Sequence, residues 1–411
     1  MNRRTFLTVS AAAGLSQMAR AQRGRQIDPA SLPPAIQDLQ PMTGGIQPIA
    51  AEERHARIEK ARRLMHENQL GAILMEAGSS MFYYTGARWN AMLVIPAAGQ
   101  PAWVAGDAAA IQAMAGDVRV YGGDESPYQR IAEVLRDRHV APGRIGIEER
   151  VRFAVYDGLR RQSPSFELVS ADPVTVGCRV IKSPAEIALL QRANDVTIAA
   201  YKAALSTLHE GMDQRELSAY ISAAYTALGF NGGAMVIFGK YTAFPHGSIQ
   251  PQTLKEGDLV LIDDGCTVEG YQSDITRTVI FGRPTARQRQ VWDLERKAQD
   301  AALAAAQVGA TCESVDAAAR KVITDAGFGP GYKVPGLPHR TGHGIGLDGH
   351  EWTYLVKGNK TKIQPGMCFS DEPTIAIYGE FGVRLEDCMY ITEDGARMFT
   401  KQSPAIDRPF A

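Results

Sequence analysis

The residues with the clearest chemical potential lie in Leu261-Ile262-Asp263-Asp264-Gly265-Cys266 and, after a turn, Ser273-Asp274-Ile275-Thr276-Arg277-Thr278. The flanking apolar runs Leu259-Val260-Leu261-Ile262 and Thr278-Val279-Ile280-Phe281 predict two strands, and Glu269-Gly270 supplies a tight turn between them. With a two-residue loop, Val268 faces Tyr271, Asp263 faces Thr276 and Gly265 faces Asp274. Asp263 and Asp274 are then diagonal neighbours on one face, within reach of a shared cation, while Asp264 points to the other side. Two carboxylates on one face of buried strands are costly unless protonated, paired or bound to metal. For the hairpin alone, a pair of solvated strand-end acids fits equally well.

A second set of candidate ligands follows downstream. Thr341-Gly342-His343-Gly344-Ile345-Gly346 places glycines on both sides of an imidazole, which leaves room for a ligand and for close backbone approach. Ser370-Asp371-Glu372-Pro373 and Val383-Arg384-Leu385-Glu386-Asp387 bring two more acid-bearing strands around a turn at residues 379–382. Glu372 and Glu386 share a face only if that loop is odd-numbered or bulged, a point the sequence leaves open. Together, Asp263, Asp274, His343, Glu372 and Glu386 form a set of four carboxylates and one imidazole. Such oxygen-rich ligation suits two divalent ions bridged by carboxylates, with Mn the best match and Co or Zn as alternatives, rather than a tetrahedral structural zinc site.

The elements that must position these groups repeat. Ser183-Pro184-Ala185-Glu186 starts a helix with a capping box and Pro at the first helical position, running to about His209, and a second helix covers Gln214–Leu228. Thr285 starts a long helix to about Gln307, followed by one over Cys312–Ala326. Gly211 to Gly229 and Gly309 to Gly327 each span 18 residues, and each second glycine is followed by Phe. A histidine and acid-bearing strands come after each. This is the pattern of an internal duplication, with a site at the junction drawing acids from both halves.

Upstream, a helix over about Glu52–Asn68 precedes short strand-like runs at 72–75, 91–95, 102–104, 118–121 and 144–147, alternating with helical stretches near 107–115 and 127–139. This is an α/β domain over residues 52–179, with no clustered His and acid set. Tyr83, Tyr84, Arg88 and Trp89 read as core or surface residues rather than a cleft. Residues 22–51, with five prolines, read as an extended arm.

Composition narrows the function classes. The chain has 411 residues, 45% of them hydrophobic, and a net charge of −1. It is large enough for two cores and has no basic footprint for nucleic acid or membrane surfaces. No stretch after the N-terminus is long and apolar enough to span a bilayer. Arg3-Arg4-Thr5-Phe6-Leu7, a weakly apolar run and Ala19-Arg20-Ala21 read as a twin-arginine export signal over residues 1–21, although Thr8 stands where a Lys usually follows. A periplasmic mature protein is the resulting expectation. The five cysteines, Cys178, Cys266, Cys312, Cys368 and Cys388, form no CxxC pair and sit in apolar settings, so buried thiols are expected, with a Cys368–Cys388 bridge ranked low.

Taken in order and spacing, these motifs resemble the pita-bread metallopeptidase family of Xaa-Pro aminopeptidases, Xaa-Pro dipeptidases (prolidases), methionine aminopeptidases and metal-free creatinases. The resemblance covers about residues 52–400 and rests on Pro245-His246-Gly247, Ile262-Asp263-Asp264-Gly265, Ser273-Asp274-Ile275-Thr276-Arg277-Thr278, His339-Arg340-Thr341-Gly342-His343-Gly344, Asp371-Glu372-Pro373 and Gly382-Val383-Arg384-Leu385-Glu386-Asp387. It implies a creatinase-like α/β N-terminal domain (52–179) and an α+β pita-bread catalytic domain (180–404) with an internal pseudo-two-fold duplication.

By the same resemblance, two metals sit on Asp263, Asp274, His343, Glu372 and Glu386, with Asp274 and Glu386 bridging, and a hydroxide generated between them attacks a peptide carbonyl. Glu372 is the expected proton shuttle. His246 stabilises the oxyanion or the scissile amide, His350 bonds the substrate carbonyl on the leaving-group side, and Arg384 fixes Glu386 and its neighbours. Asp264, Asp371 and Asp387 are expected to support the fold, and His339 to contribute at most a rim contact. Three activities share such a set. The first is cleavage before proline in short peptides, the second is hydrolysis of another small amide as in creatinase- and ectoine-hydrolase-like relatives, and the third is a catalytically silent binding relative. Family members are commonly dimers or larger.

Overall fold

The computed structural model describes residues 31–106 and 116–410. The export signal expected over 1–21 and the helical stretch near 107–115 lie outside them. The chain divides into two compact units, one of Gln47–Ile187 with Gly346–Trp352, the other of Ala188–Ile345 and Thr353–Ala411 with the segment ending at Ile46.

The first unit is built on a mixed six-stranded sheet. Its strands are β1 (Leu70–Met75), β2 (Met92–Pro96), β3 (Ala102–Ala105), β4 (Asp117–Val120), β5 (Arg144–Ile147) and β6 (Glu167–Ser170), in the order β4-β3-β2-β1-β5-β6. Alternating residues of four strands, Ala72 and Leu74, Met92 and Val94, Ala102 and Val104, Ile145 and Ile147, present one apolar face. Helix Pro127–Asp137 covers that face with Ile131, Val134 and Leu135, spaced three, four and one residues apart as a helical stripe requires. Tyr83 and Tyr84 are buried in the core, as their apolar setting suggests. The helices Ser79–Thr85, Phe153–Gln162 and Asp172–Arg179, and strand β6, are additions to the elements read from the sequence.

The excursion Gly346–Trp352 is held to this unit by charge. Arg179 reaches Asp348 at 2.7 Å and also pairs with Glu351, Lys182 lies 3.0 Å from Glu351, and the Ser79 hydroxyl donates to Asp348 at 2.7 Å. The backbone N–H groups of Leu347 and Asp348 donate to the same Glu351 oxygen. Burial alone would favour the neutral acid, but Lys182 and Arg179 override it and lower the Glu351 carboxyl to about 2.

Leading into the second unit, the capping box read at Ser183 forms: Glu186 N–H donates to Ser183 Oγ at 3.2 Å and Ser183 N–H to Glu186 Oε2 at 2.9 Å. The helix it starts, Pro184–Leu205, stops four residues earlier than the periodicity suggests. Helices Gln214–Ala227, Ala286–Ala305 and Cys312–Asp325 follow, the third capped by a Thr285–Gln288 box. The segment expected to be a plain extended arm is docked instead. A single helical turn at Pro34–Gln37 buries Ile36, Met42 N–H donates to Leu228 O, and Arg192 holds the Met42 and Gly44 carbonyls. All five cysteines are free and buried.

The strands of this unit are β7 (Asn231–Gly232), β8 (Met235–Phe238), β9 (Leu259–Asp264), β10 (Cys266–Val268), β11 (Tyr271–Gln272), β12 (Ile275–Ile280), β13 (Gly342–Gly344), β14 (Glu351–Leu355), β15 (Cys368–Asp371), β16 (Thr374–Ile377), β17 (Phe381–Arg384), β18 (Asp387–Thr392) and β19 (Gly395–Met398). They form sheets of order β12-β9-β8, β11-β10-β7, β14-β13-β15-β18-β19 and β16-β17. The duplication is visible in the backbone bonds. Gly211 N–H donates to Leu254 O as Gly309 N–H donates to Ile363 O, and Gly257 N–H donates to Phe281 O as Gly366 N–H donates to Ile391 O.

Breaking the Glu351 cluster removes the carboxylate that buried Lys182 faces and leaves Arg179 with Asp348 alone, so Glu351→Gln should lower stability by about 3 kcal/mol at neutral pH. The folded carboxyl is depressed, so its contribution is complete above the ordinary value of 4.5 and lost as pH falls to about 2. Urea melts of wild type and variant should therefore converge across that window, and a gap that stays constant through it contradicts the assignment.

Candidate metal centre

The turn at Glu269-Gly270 has φ of 48° and 88°, the pattern of a two-residue type I′ hairpin. Val268 faces Tyr271 and Asp263 faces Thr276. Asp274 falls in the break between β11 and β12, across from Gly265. That glycine is required because a Cβ there would sit 2.1 Å from Ser273 O. Asp264 turns outward with φ of 138°, its carboxylate accepting from Gly265 N–H.

The second hairpin answers the question of parity. Ile377 pairs with Phe381 across the three-residue loop Tyr378-Gly379-Glu380, Thr374 with Arg384, and Asp371 with Asp387. The loop is odd, so Glu372 and Glu386 occupy directly opposed positions in the breaks flanking β16 and β17. Gly342 repeats the logic of Gly265, since a Cβ there would meet Ser370 O at 2.1 Å. His343 follows it with its backbone N–H on Ser370 Oγ.

These elements bring five donors together in one unit. His343 Nδ1–H donates to Gly344 O at 3.0 Å, which turns Nε2 to the acids, 3.2 Å from Glu372 and 3.6 Å from Asp274. Ligand atoms of His343, Glu372 and Glu386 lie within 4.8 Å of one another, and so do those of Asp263, Asp274 and Glu386, which leaves Glu386 common to both groups. The Thr276 hydroxyl stands 2.8 Å from Asp263 and 2.7 Å from Glu386 and accepts from Arg384 Nε at 3.0 Å. Arg384 also pairs with Asp263 and donates to Pro245 O at 3.0 Å. Of Glu386 and its neighbours, which Arg384 is expected to fix, the direct pair goes to the neighbour: Arg384 grips Asp263, and Thr276 links it to Glu386.

The charge balance is uneven. Partial burial, then the neighbouring Asp263 and Glu372, pushes the Asp274 carboxyl up, and burial with Asp274 and Glu372 does the same to Glu386. Glu372 runs the other way, because the His343 hydrogen bond and charge outweigh its burial. Glu386 Oε1 is buried and has no hydrogen-bond partner. A surplus of buried carboxylates, an orphaned oxygen and an imidazole nitrogen turned among them fit divalent cations, with Glu386 placed to serve two.

His246 is exposed on the Pro245 loop, its ring 6.4 Å from that of His339. His339 is closer to the centre than its rim role implies. Its Nε2 meets Thr374 Oγ1 at 2.9 Å, and partial burial lowers its pKa. Thr276 and His339 are the residues missed as site components. Thr276 was accessible by alternation, two residues after Asp274, whereas His339 precedes strand Gly342–Gly344 in a loop with no such signal. His350 belongs to the other unit, exposed beside Arg179, Asp348 and Trp352. Asp387 supports the fold as expected, through a buried pair with Arg277 at 2.7 Å and a bond from Gln299.

Residues 188–393 match metallopeptidase family M24, and residues 57–181 match the creatinase/prolidase N-terminal domain. The chain is 36% identical over 300 residues to an Xaa-Pro dipeptidase of Lactobacillus delbrueckii subsp. lactis, covering 71% of this chain and 79% of that one. It is 30% identical over 356 residues to an Xaa-Pro dipeptidase of Pyrococcus furiosus, covering 84% and 97%. Among solved structures, it resembles the dipeptidase PepE of Mycobacterium ulcerans with a TM-score of 0.79 at 29% identity, covering 88% and 99%. A prolidase from Thermococcus sibiricus gives 0.78 at 28%, covering 85% and 97%. The architecture is a creatinase-like α/β domain joined to a duplicated α+β pita-bread domain, and the chain belongs to metallopeptidase family M24.

Proposed function

We propose that this metallopeptidase hydrolyses short peptides at the bond before proline, using two divalent ions held by Asp263, Asp274, His343, Glu372 and Glu386. The observation that carries the reading is the pair of three-donor groups meeting at Glu386. The relatives named as Xaa-Pro dipeptidases support the substrate class. Four carboxylates and one imidazole, with no thiolate, favour Mn over softer-ligand metals, with Co and Zn as alternatives. Bound cations of this kind supply Lewis-acid polarisation of a carbonyl and lower the pKa of water.

The chain's own groups do the rest. Glu372, beside His343, is placed to take a proton from water and return it to the leaving nitrogen. His246, carried on the loop that Arg384 anchors, donates to the developing oxyanion or the scissile amide. Arg384 holds Asp263 in its ligating position and keeps its proton, because Asp263 and Glu386 override its burial. Self-association into a dimer or larger assembly is part of the reading, as is export. The Arg3-Arg4 pair and Ala19-Arg20-Ala21 support cleavage after residue 21 and a periplasmic enzyme.

Three experiments test this. A panel of di- and tripeptides with and without proline in second place, run on Mn-loaded protein, should show release of proline from Xaa-Pro dipeptides; hydrolysis restricted to peptides without proline would exclude the assignment. Asp263→Asn should remove metal binding by calorimetry and lower kcat/KM at least 100-fold, while Asp264→Asn, outward at the strand end, should stay within about fivefold, and equal losses in the two would refute the ligand assignment. Cell fractionation should find the wild-type chain in the periplasm and an Arg3→Lys/Arg4→Lys variant in the cytoplasm, and identical partitioning would argue against twin-arginine export.

A further inference from the structure

The hairpin that carries Asp274 rests on a buried line of hydroxyls that the chemistry of the metal centre does not use. Its registered pairs stop at Asp264–Ile275 and resume at Thr267–Gln272, so backbone groups between them need other partners. Cys266 N–H donates to Ser273 Oγ at 3.1 Å, and the Tyr201 hydroxyl donates to the Asp264 carbonyl at 2.9 Å. Ser273 Oγ lies 2.8 Å from Thr197 Oγ1, which accepts from the Tyr225 hydroxyl at 3.1 Å. Thr197 and Tyr201 sit one turn apart on helix Pro184–Leu205, and Tyr225 comes from helix Gln214–Ala227.

The line has a direction. Burial holds the Tyr225 phenol far above its ordinary range, so it stays a donor. With its oxygen taken by Tyr225, Thr197 turns its own proton to Ser273. Ser273 accepts from Thr197 and from Cys266 N–H and gives its proton to the Cys266 carbonyl at 3.4 Å. All four side chains are buried, so the line is closed to bulk water. Valine at 197 and phenylalanine at 225 would fill the same space without desolvating two hydroxyls, so packing alone does not account for them. The other half shows what such a serine can do. Ser370 stands against Gly342 as Ser273 stands against Gly265, and its hydroxyl takes His343 N–H and lies 3.3 Å from Glu372 Oε1. There the serine touches a metal-facing acid directly, whereas Ser273 acts on Asp274 through the peptide bond between them.

We propose that Thr197 and Tyr225 are positioning residues for the metal centre: by fixing Ser273 they fix where Asp274 presents its carboxylate, and with it the affinity of the ion held by Asp263, Asp274 and Glu386. The proposal rests on the ligand assignment above. Asp263 has its own anchors in Arg384 and Thr276, so the line governs Asp274. The other ion, on His343, Glu372 and Glu386, is served by Ser370 and draws on none of these hydroxyls.

The test titrates metal-free full-length protein with MnCl2 by calorimetry and records the EPR spectrum at each step. Thr197→Val and Tyr225→Phe should each weaken one of the two ions about tenfold and leave the other within about twofold. Their spectra should show an isolated Mn ion at loadings where wild type shows a coupled pair. Thr197→Ser, which keeps the hydroxyl, should restore both affinities. Wild-type isotherms in both variants overturn the proposal. Equal weakening of both ions overturns it too, since that marks a general loosening of the scaffold. If Thr197→Val gives no cooperative thermal transition, Tyr225→Phe decides alone, because it removes a single oxygen. A wild type that binds only one ion would sink the two-ion reading instead. The line is then judged on whether Thr197→Val weakens that ion about tenfold and Thr197→Ser restores it.

Discussion

Gathering four carboxylates in one partly dehydrated pocket is the constraint to which the rest of the catalytic unit answers. Each acid loses hydration and meets the field of the others, so without added positive charge some must stay protonated. Among the described residues, Arg384 is the fixed cation paired with these acids, and it is spent on Asp263. Asp274 and Glu386 are left with raised carboxyl pKa values, and Glu386 has an oxygen without a partner. The site is electrostatically incomplete as a protein-only arrangement, and divalent cations complete it.

Three of the four carboxylates, Asp274, Glu372 and Glu386, stand in breaks between otherwise regular ladders. The two halves share a backbone frame: Asp263 and Glu372 each stand six residues beyond glycines, Gly257 and Gly366, that make equivalent bonds. Across the ladder the equivalence holds in position but changes in chemistry. Thr276 faces Asp263 where Glu386 faces Glu372, and Thr276 and Glu386 meet at 2.7 Å. Duplicated backbone thus yields an asymmetric donor set. One half gives two aspartates and a hydroxyl, the other gives two glutamates, an imidazole and the guanidinium.

Much of this was legible in residues. Strand alternation and the Glu269-Gly270 turn placed Asp263 on the inner face and Asp264 outside, because a hairpin of known loop length leaves no freedom of register. Ser183 and Thr285 marked two helix starts through local capping chemistry. Glu372 and Glu386 could not be paired in advance, since the parity of a glycine-containing loop depends on a turn geometry that composition does not determine. Helix ends, strand β6 and the docking of Ile36 depend on tertiary contacts with no local signature. Asp371 shows the same limit. It is fully buried with neither oxygen bonded, and burial followed by Asp387 drives its carboxyl toward the neutral form, which no alternation rule distinguishes from a solvated support.

Arg384 shows most clearly why distance along the chain misleads. Two residues from Glu386, it reads as that acid's partner, yet a residue at i−2 on a strand shares its face without touching it, and the guanidinium is long enough to cross to the other half. It ends on Asp263 and Thr276 of the first half and on the Pro245 carbonyl, so one planar fork spans a candidate metal ligand, a hydroxyl between two of the acids and the loop bearing His246. A lysine would offer a point charge and could not hold three directions at once. The same guanidinium therefore both partners an acid of the cluster and ties down the loop bearing His246.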